Sequence, residues 1–142
     1  MATLFTKIIE GEIPGRFVWR DDRAVAFLTI APITHGHTLV VPIEEVDHWL
    51  DLSPDLAAHL TEVARQVGLA QMQAFSARRV GLIVAGLEVP HCHLHVLPIA
   101  AEADLSFARA DHNPDPARLD AAADSLRTAL RDIGHAAEVD AA

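Results

Sequence analysis

The chain has 142 residues, of which 20 are Asp or Glu and 11 are Lys or Arg, so its formal net charge is −9. This charge argues against nucleic acid or an anionic membrane as a partner, because both need clustered Lys and Arg. The single cysteine, Cys92, cannot form a disulfide within the chain, and no apolar stretch approaches the roughly 20 residues of a spanning helix. Residues 1–14 do not resemble a signal peptide. We therefore expect one cytoplasmic domain with no membrane and no nucleic acid partner.

The N-terminal third alternates apolar runs with turn residues. Gly11 and Pro14 end the first run, the acidic pair Asp21 and Asp22 suits a hairpin turn, and Pro42 ends the last run. The runs predict a short helix or turn and then three strands: residues 5–9, 16–20, 24–30 and 38–41.

The rest of the chain predicts two helices around a pair of strands. Ser53 is a candidate N-cap with Pro54 at the first helical position, and apolar residues then return at three- and four-residue spacing to about Phe75. A second amphipathic helix is expected from residue 115 or 116 to 133, ended by Gly134, and the last residues are expected to fray. Between the helices, a turn at residues 86–90 joins two antiparallel strands: residues 80–85 and 91–98.

Three histidines, His91, His93 and His95, occupy alternate positions in the second of these strands. Successive side chains of a strand point to opposite faces, so the three imidazoles should share one face while the residues between them face the core. Neighbouring rings would lie about 6 to 7 Å apart, a span that a phosphate or a metal ion could fill. Imidazole, with an unperturbed pKa of about 6.5, suits proton transfer, attack on phosphorus and metal ligation.

Two functional interpretations of this row remain open on spacing alone. A metal site would use all three imidazoles as ligands, each held by a carboxylate or carbonyl on its far nitrogen. A covalent phosphoryl or nucleotidyl transferase would use the central His93 as nucleophile, with its neighbours binding phosphate oxygens. A purely structural role is disfavoured, because each buried imidazole without a partner costs about 1 to 3 kcal/mol.

Four segments together resemble the histidine triad (HIT) family across roughly residues 5–98. These segments are IIEGEIP (8–14), DDRAVAF (21–27), HTLVVP (37–42) and HCHLHVLP (91–98). The resemblance implies an α+β fold, a meandering antiparallel sheet with one long packed helix, and a homodimer. It also implies hydrolysis or transfer at the α-phosphate of a nucleotide conjugate, such as a nucleoside phosphoramidate or a dinucleoside polyphosphate. That chemistry would pass through a nucleotidyl-histidine intermediate, with no cofactor and no catalytic metal.

Catalytic roles follow from the resemblance, position by position. His93 aligns with the nucleophile. His91 and His95 align with the flanking histidines that hold phosphate oxygens, set the tautomer of the central ring and help to protonate the leaving group. His37 aligns with the fourth histidine of the family, which joins this network, whereas His35 is expected to be a loop residue.

The expected nucleotide-binding residues are Thr29, Phe27, Glu88 and His95. Thr29 stands where many family members have an Asp that bonds the ribose hydroxyls, and Phe27 is a candidate contact for the base. Leu87 and Glu88 stand where members often have a Gln followed by Ser or Thr against the phosphates. A carboxylate at that position would repel the phosphate unless it points away or is protonated.

Zinc ligands found in some family members are missing from this sequence. Thr3 and Thr6 stand near the positions of two N-terminal cysteines, and Glu45 stands where a histidine is common. The sequence therefore predicts no zinc site.

The sequence also indicates how the chain is divided, and it leaves two alternatives to an enzyme open. We expect a catalytic domain at residues 1–103 and a C-terminal helical extension at residues 104–142, packed on the same domain. The alternatives to an enzyme are a nucleotide-binding or regulatory protein of the same fold with little turnover, and a three-histidine metal protein.

Overall fold

The chain contains four α-helices, five strands and three short 3-10 helices, and the computed structural model describes all of residues 1–142. The helices are α1 (Leu4–Ile9), α2 (Pro54–Phe75), α3 (Pro116–Asp132) and α4 (Ala136–Asp140). The strands are β1 (Phe17–Arg20), β2 (Ala24–Leu28), β3 (Thr38–Pro42), β4 (Arg79–Ile83) and β5 (Leu94–Ile99). None of the helices combines the length and the apolar composition that a membrane crossing requires.

The five strands form one sheet in the order β1-β2-β3-β5-β4, with every neighbouring pair antiparallel. The order follows the chain except at β4, which lies outside β5 as an edge strand. The predicted α+β fold with a meandering antiparallel sheet is therefore confirmed.

The two faces of the sheet carry different layers. Helices α2, α3 and α4 cover one face and enclose a core of 21 buried residues. On the other face, α1 covers a smaller cluster of five buried residues: Phe5, Val25, Phe27, Leu39 and Val41. Strand alternation explains the division, because Val25 and Phe27 face the small cluster while Ala24 and Ala26 face the large one.

The long helix α2 begins and ends where the sequence predicts. The Ser53 hydroxyl accepts a hydrogen bond from the Leu56 N–H at 3.2 Å, and Pro54 is the first helical residue. The apolar stripe of α2, with Leu60 and Val67 fully buried, packs into the main core. This helix forms the back wall behind the central strands.

The C-terminal part continues the same core. Helix α3 starts after Asp115, and the chain leaves it through Gly134 at a φ of +104°, as predicted. Beyond Gly134 the chain forms α4, which buries Val139 in the main core, while fraying of the last residues stays a prediction. Residues 104–142 thus pack on the same core as the rest, while a boundary at residue 103 stays a prediction.

The strand that carries the histidines starts later than predicted. The pairing of β3 with β5 ends at Val40 and Leu94, so His91 and His93 precede the strand. The Cys92 N–H donates to the Val46 carbonyl at 2.7 Å and not to a neighbouring strand. The side chains nevertheless keep alternating, because Cys92 and Leu94 both lie in the main core.

Candidate active site

Four histidines gather on the α1 side of the sheet. His95 lies on β5, His37 directly precedes β3, and His91 and His93 lie in the segment that leads into β5. All four side chains are buried. Buried imidazoles need hydrogen-bond partners, and those partners assign the state of each ring.

His93 presents an unprotonated nitrogen. Its Nδ1–H donates to the His91 carbonyl oxygen at 2.8 Å, which leaves the lone pair on Nε2. Nε2 has no partner in the protein and is not enclosed, so it reaches solvent. Burial lowers the pKa of His93 below its ordinary value, against the opposing effect of the hydrogen bond to His91. The ring is therefore neutral at neutral pH, as a nucleophile must be.

His37 and His95 form a proton-ordered relay. The Ile33 N–H donates to His37 Nδ1 at 3.0 Å, so the proton of His37 is on Nε2. His37 Nε2–H in turn donates to His95 Nδ1 at 3.0 Å, which leaves the proton of His95 on its own Nε2. Burial lowers the pKa of His37 to about 4 and that of His95 to about 3. The relay therefore ends in a neutral N–H donor beside His93, whose ring centroid is 4.8 Å away.

Gln71 on α2 holds the main chain next to His37 and His95. The Gln71 side chain is fully buried, and its Nε2 donates to the Gly36 carbonyl at 3.0 Å and to the Val96 carbonyl at 2.9 Å. Gly36 has a φ of +91°, and a Cβ there would collide with the Phe75 ring. A glycine is thus required for the turn that delivers His37 to β3.

His91 is bonded within the protein at both ring nitrogens. Its Nε2–H donates to the Pro42 carbonyl at 2.7 Å, and its Nδ1 lies 2.7 Å from the Thr3 hydroxyl. Both nitrogens are used and the ring is fully buried, so no nitrogen is free to hold a phosphate oxygen. What His91 supplies to the site is its backbone carbonyl, which fixes the ring of His93.

The alternative of a three-histidine metal site lacks the necessary geometry. No three side chains among the Asp, Glu, His and Cys residues converge on a point where a metal ion could bind. For the row itself the reason is His91, whose two ring nitrogens are both engaged.

The expected nucleotide-binding residues differ in how accessible they are to a ligand. Phe27 is only 3% exposed, with its ring centroid 5.6 Å from those of Phe5 and Phe17, so a base could contact it only by displacing a neighbour. The Thr29 hydroxyl accepts from the Ala31 N–H at 3.1 Å and keeps its own proton for a ligand. Glu88 is exposed in the turn before the histidines, where its charge opposes the lowering of the His93 pKa by burial.

Two site features lie outside the sequence pattern. The Phe107 ring packs edge-on against His95 with centroids 4.9 Å apart, although Phe107 is 46% exposed and belongs to neither core cluster. A cavity of about 40 Å³ beside His93 is lined by the loop residues His48 and Trp49. Neither feature has a sequence signal, because each depends on loops brought together by the fold.

Comparison with known proteins gives a consistent result. The family model of the HIT domain matches residues 10–114. An uncharacterized HIT-like protein of Saccharolobus solfataricus is 37% identical over 100 residues, which cover 67% of this chain and 72% of that protein. A hypothetical histidine triad nucleotide-binding protein of Sulfolobus tokodaii superposes with a TM-score of 0.81 at 26% identity, covering 91% of this chain and 92% of that one.

A Zn-bound histidine triad family protein of Mycobacterium smegmatis is also similar in structure. Its TM-score is 0.82 at 28% identity, over 96% of this chain and 98% of that one. Zinc in proteins is held by Cys, His, Asp and Glu. Here two of the positions expected for zinc ligands hold Thr3 and Thr6, so Glu45 is the only residue of a ligand type among the three, and the neighbouring His91 has no free nitrogen. No three potential ligand side chains converge there. The residues of this chain do not fit a zinc ion.

Proposed function

Because this chain belongs to the histidine triad (HIT) family, we propose that it is a hydrolase or transferase acting at the α-phosphate of a nucleotide conjugate. The candidate substrates are small molecules, namely nucleoside phosphoramidates and dinucleoside polyphosphates. The observation that carries the proposal is the state of His93. Its Nδ1–H is held by the His91 carbonyl, and its Nε2 lone pair is open to solvent beside the N–H donor of His95.

The proposed reaction has two steps. In the first, His93 Nε2 forms a bond to the α-phosphorus while the bond from phosphorus to the leaving group breaks, and the leaving group takes up one proton from solvent. In the second, water attacks the nucleotidyl-histidine, the bond to Nε2 breaks, and the proton returns to solvent as the nucleoside monophosphate leaves. A second acceptor in place of water would make the reaction a transfer.

His95 acts in this proposal as a fixed hydrogen-bond donor. The Ile33 N–H occupies His37 Nδ1, so neither His37 nor His95 can accept a second proton without breaking a hydrogen bond. His95 Nε2–H is therefore always directed towards the site, where it would stabilise charge on a phosphoryl oxygen or on the departing atom. The position of this donor costs no reorganisation during the reaction.

The Thr29 hydroxyl is the proposed partner of the ribose. It lies directly after β2 with a proton free to donate, and the neighbouring Ile30 is 76% exposed and could contact the base. Phe27 supports this surface from within the small cluster. The proposal includes a cytoplasmic location.

Nucleotide binding with little turnover is the second candidate function. The observation that favours it is the turn before the histidines, where Leu87 is 95% exposed and cannot bond a phosphate. Glu88 beside it places a negative charge near His93. Both would weaken the hold on the phosphate without removing the nucleophile.

We also propose that the protein is a homodimer formed through α2 and β4. The outer edge of β4 has no partner strand. Between β4 and α2 lies an apolar groove of about 380 Å³, whose lining includes the exposed side chains of Leu69, Met72 and Leu82. A second copy would bury these side chains.

Light scattering during size-exclusion chromatography tests the dimer. Leu82→Asp should convert the protein to monomers, because it places a charge within the apolar interface. Leu50→Asp is the matched control, since Leu50 is also exposed but lies outside the groove. A wild-type monomer, or dissociation of both variants alike, would contradict this interface.

Turnover of a fluorogenic adenosine phosphoramidate tests the activity. His93→Ala should lower kcat by about a thousandfold or more while binding AMP with a similar Kd, because it removes only the nucleophile. His35→Ala is the matched control, since this exposed histidine packs on Phe75 outside the cluster. Turnover retained by His93→Ala would refute the mechanism, whereas AMP binding without turnover by the wild type would favour the second candidate function.

A further inference from the structure

One side chain near the N-terminus, that of Thr3, contacts the first histidine of the row, His91. Thr3 is the N-cap of α1, and its Oγ1 accepts the Thr6 N–H at 3.1 Å. The same oxygen lies 2.7 Å from Nδ1 of His91, a residue 88 positions further along the chain. We call this pair of residues, Thr3 and His91, the N-terminal clasp.

The partners of the clasp fix the direction of each hydrogen bond. His91 Nε2 faces the Pro42 carbonyl, which can only accept, so the proton of the neutral ring is on Nε2. Nδ1 is therefore an acceptor, and the Thr3 hydroxyl donates its single proton to it at 2.7 Å, in preference to the Thr6 hydroxyl at 3.3 Å. The His91 ring is held at both nitrogens, by α1 on one side and by β3 on the other.

The clasp continues to the nucleophile through the main chain. The carbonyl of the clasped His91 accepts the Nδ1–H of His93 at 2.8 Å. Two hydrogen bonds therefore connect Thr3 to His93 through His91, one to the His91 ring and one from the His91 carbonyl. The second bond determines which nitrogen of His93 carries the lone pair.

We infer that Thr3 is a positioning residue for the reaction at His93, acting through the N-terminal clasp. The inference rests on the proposed function for its kinetic consequence. The hydroxyl of Thr3 holds the His91 ring, the held residue presents its carbonyl to His93, and His93 keeps its Nε2 free.

The Thr3 hydroxyl is not the only attachment of α1, although its loss also removes the N-cap hydrogen bond from the Thr6 N–H. Phe5, on α1, is buried against Phe27, and its ring also packs edge-on against His93 with centroids 4.9 Å apart. Glu45 Oε1 accepts the Thr3 main-chain N–H at 2.9 Å, a contact that any side chain at position 3 would keep. Loss of the hydroxyl alone should therefore leave the helix in place and change the histidines.

Thr3→Val removes the hydroxyl at nearly constant volume and tests the inference directly. We expect kcat to fall about tenfold, the effect of one lost, partly buried hydrogen bond, with KM for the phosphoramidate changed less than about twofold. Thr3→Ser should restore kcat, because it returns the donor. Thr6→Val is the matched control on the same helix, since the Thr6 hydroxyl contacts the Thr3 hydroxyl at 3.3 Å but no histidine, so its loss leaves the bond between Thr3 and His91 in place.

Imidazole ¹⁵N resonances give a readout that is independent of activity. In the wild type and in Thr6→Val, His93 should be the pure Nδ1–H tautomer and His91 the Nε2–H tautomer with a hydrogen-bonded Nδ1. In Thr3→Val, the His91 Nδ1 resonance should move towards that of a free imidazole nitrogen, and His93 should show a mixture of tautomers. If the wild type had no turnover, the proposed function would fail while these spectra would still decide the inference.

Two results would overturn the inference. The first is a Thr3→Val protein with wild-type kcat and an unchanged His93 tautomer. The second is a rise in Tm when zinc is added to the wild type and a fall when EDTA is added, with both effects lost in Thr3→Val. The inference predicts the same Tm with zinc, with EDTA and with neither.

Discussion

The two ends of the histidine row contrast sharply although they use the same side chain. At the His91 end, both ring nitrogens are bonded within the protein, to Thr3 and to the Pro42 carbonyl. At the His95 end, one nitrogen receives a hydrogen bond from His37 and the other carries a proton that has no partner in the protein. We call the His91 end the closed end and the His95 end the open end. His93 lies between them, held by the His91 carbonyl and facing His95.

The contrast shows that spacing alone does not define the role of a histidine. Both flanking rings stand two residues from His93, yet only His95 has an N–H to offer a substrate. The closed end sets the tautomer of the nucleophile, and the open end supplies a donor for developing charge. The predictions below separate these two roles.

Truncation of each flanking ring should give opposite patterns, and this is the largest expected effect. His95→Asn should lower kcat by about a hundredfold or more with little change in stability, because it removes the Nε2–H donor that only the substrate uses while its side-chain oxygen can still accept the His37 Nε2–H. His91→Ala should lower the free energy of unfolding by about 1 to 3 kcal/mol, because it leaves the buried Pro42 carbonyl and the Thr3 hydroxyl without their partner. Urea unfolding and steady-state kinetics on both variants measure the two quantities. If the two variants lost kcat and stability to the same extent, His91 and His95 would not have the separate roles assigned to them.

The open end should also make stability depend on pH. In the folded protein the pKa values of His37 and His95 are about 4 and about 3, below the ordinary value of about 6.5 in the unfolded chain. Between these values the unfolded chain binds protons that the folded chain does not, so stability is full above about pH 6.5 and falls as the pH is lowered towards 4. Each histidine contributes a slope of up to about 1.4 kcal/mol per pH unit.

Urea unfolding at pH 7, 6 and 5 measures this dependence. The difference between the wild type and a His95→Asn variant isolates the histidine from the carboxylates, which titrate in both proteins. The variant should lose less stability than the wild type as the pH falls. An identical loss in the two proteins would mean that His95 accepts protons freely in the folded state.

Substitution of Glu88, in the turn before the three histidines, should have the smallest of these effects, a change in the affinity for AMP. Glu88→Ser removes a negative charge that acts on His93 and supplies a hydroxyl, so AMP should bind about two- to tenfold more tightly. Glu10→Ser is the matched control, because Glu10 is an exposed carboxylate at the end of α1. Calorimetric titration with AMP measures both. An unchanged or weaker Kd for Glu88→Ser would show that this carboxylate does not face the phosphate.

Local patterns in the sequence predicted most of the fold. The cap at Ser53 and the periodic apolar residues defined α2, and period-two alternation correctly assigned Cys92 and Leu94 to the core. The start of β5 was wrong because the Cys92 N–H bonds to Val46 in a loop, a contact that no strand propensity encodes. The buried α4 was missed because its burial depends on a single long-range apolar side chain, Val139.

The site was predictable in its residues but not in its hydrogen bonds. The pattern and the resemblance identified the four histidines, and the structure brings all of them together. The clasp could not be predicted, because it joins Thr3 to His91 across 88 positions and threonine has no signature for such a contact. The packing of Phe107 on His95 likewise depends on how the segment after β5 folds back over the sheet.

Localisation of a covalent intermediate tests the central claim most directly. The wild type should be mixed with an adenosine phosphoramidate, quenched in alkali because the phosphorus–imidazole bond is acid-labile, and digested for tandem mass spectrometry. We expect an AMP adduct on His93 in the peptide that holds residues 91–95, and no adduct in His93→Ala. An adduct on His91 or His95, or turnover with no adduct at any quench time, would contradict that claim.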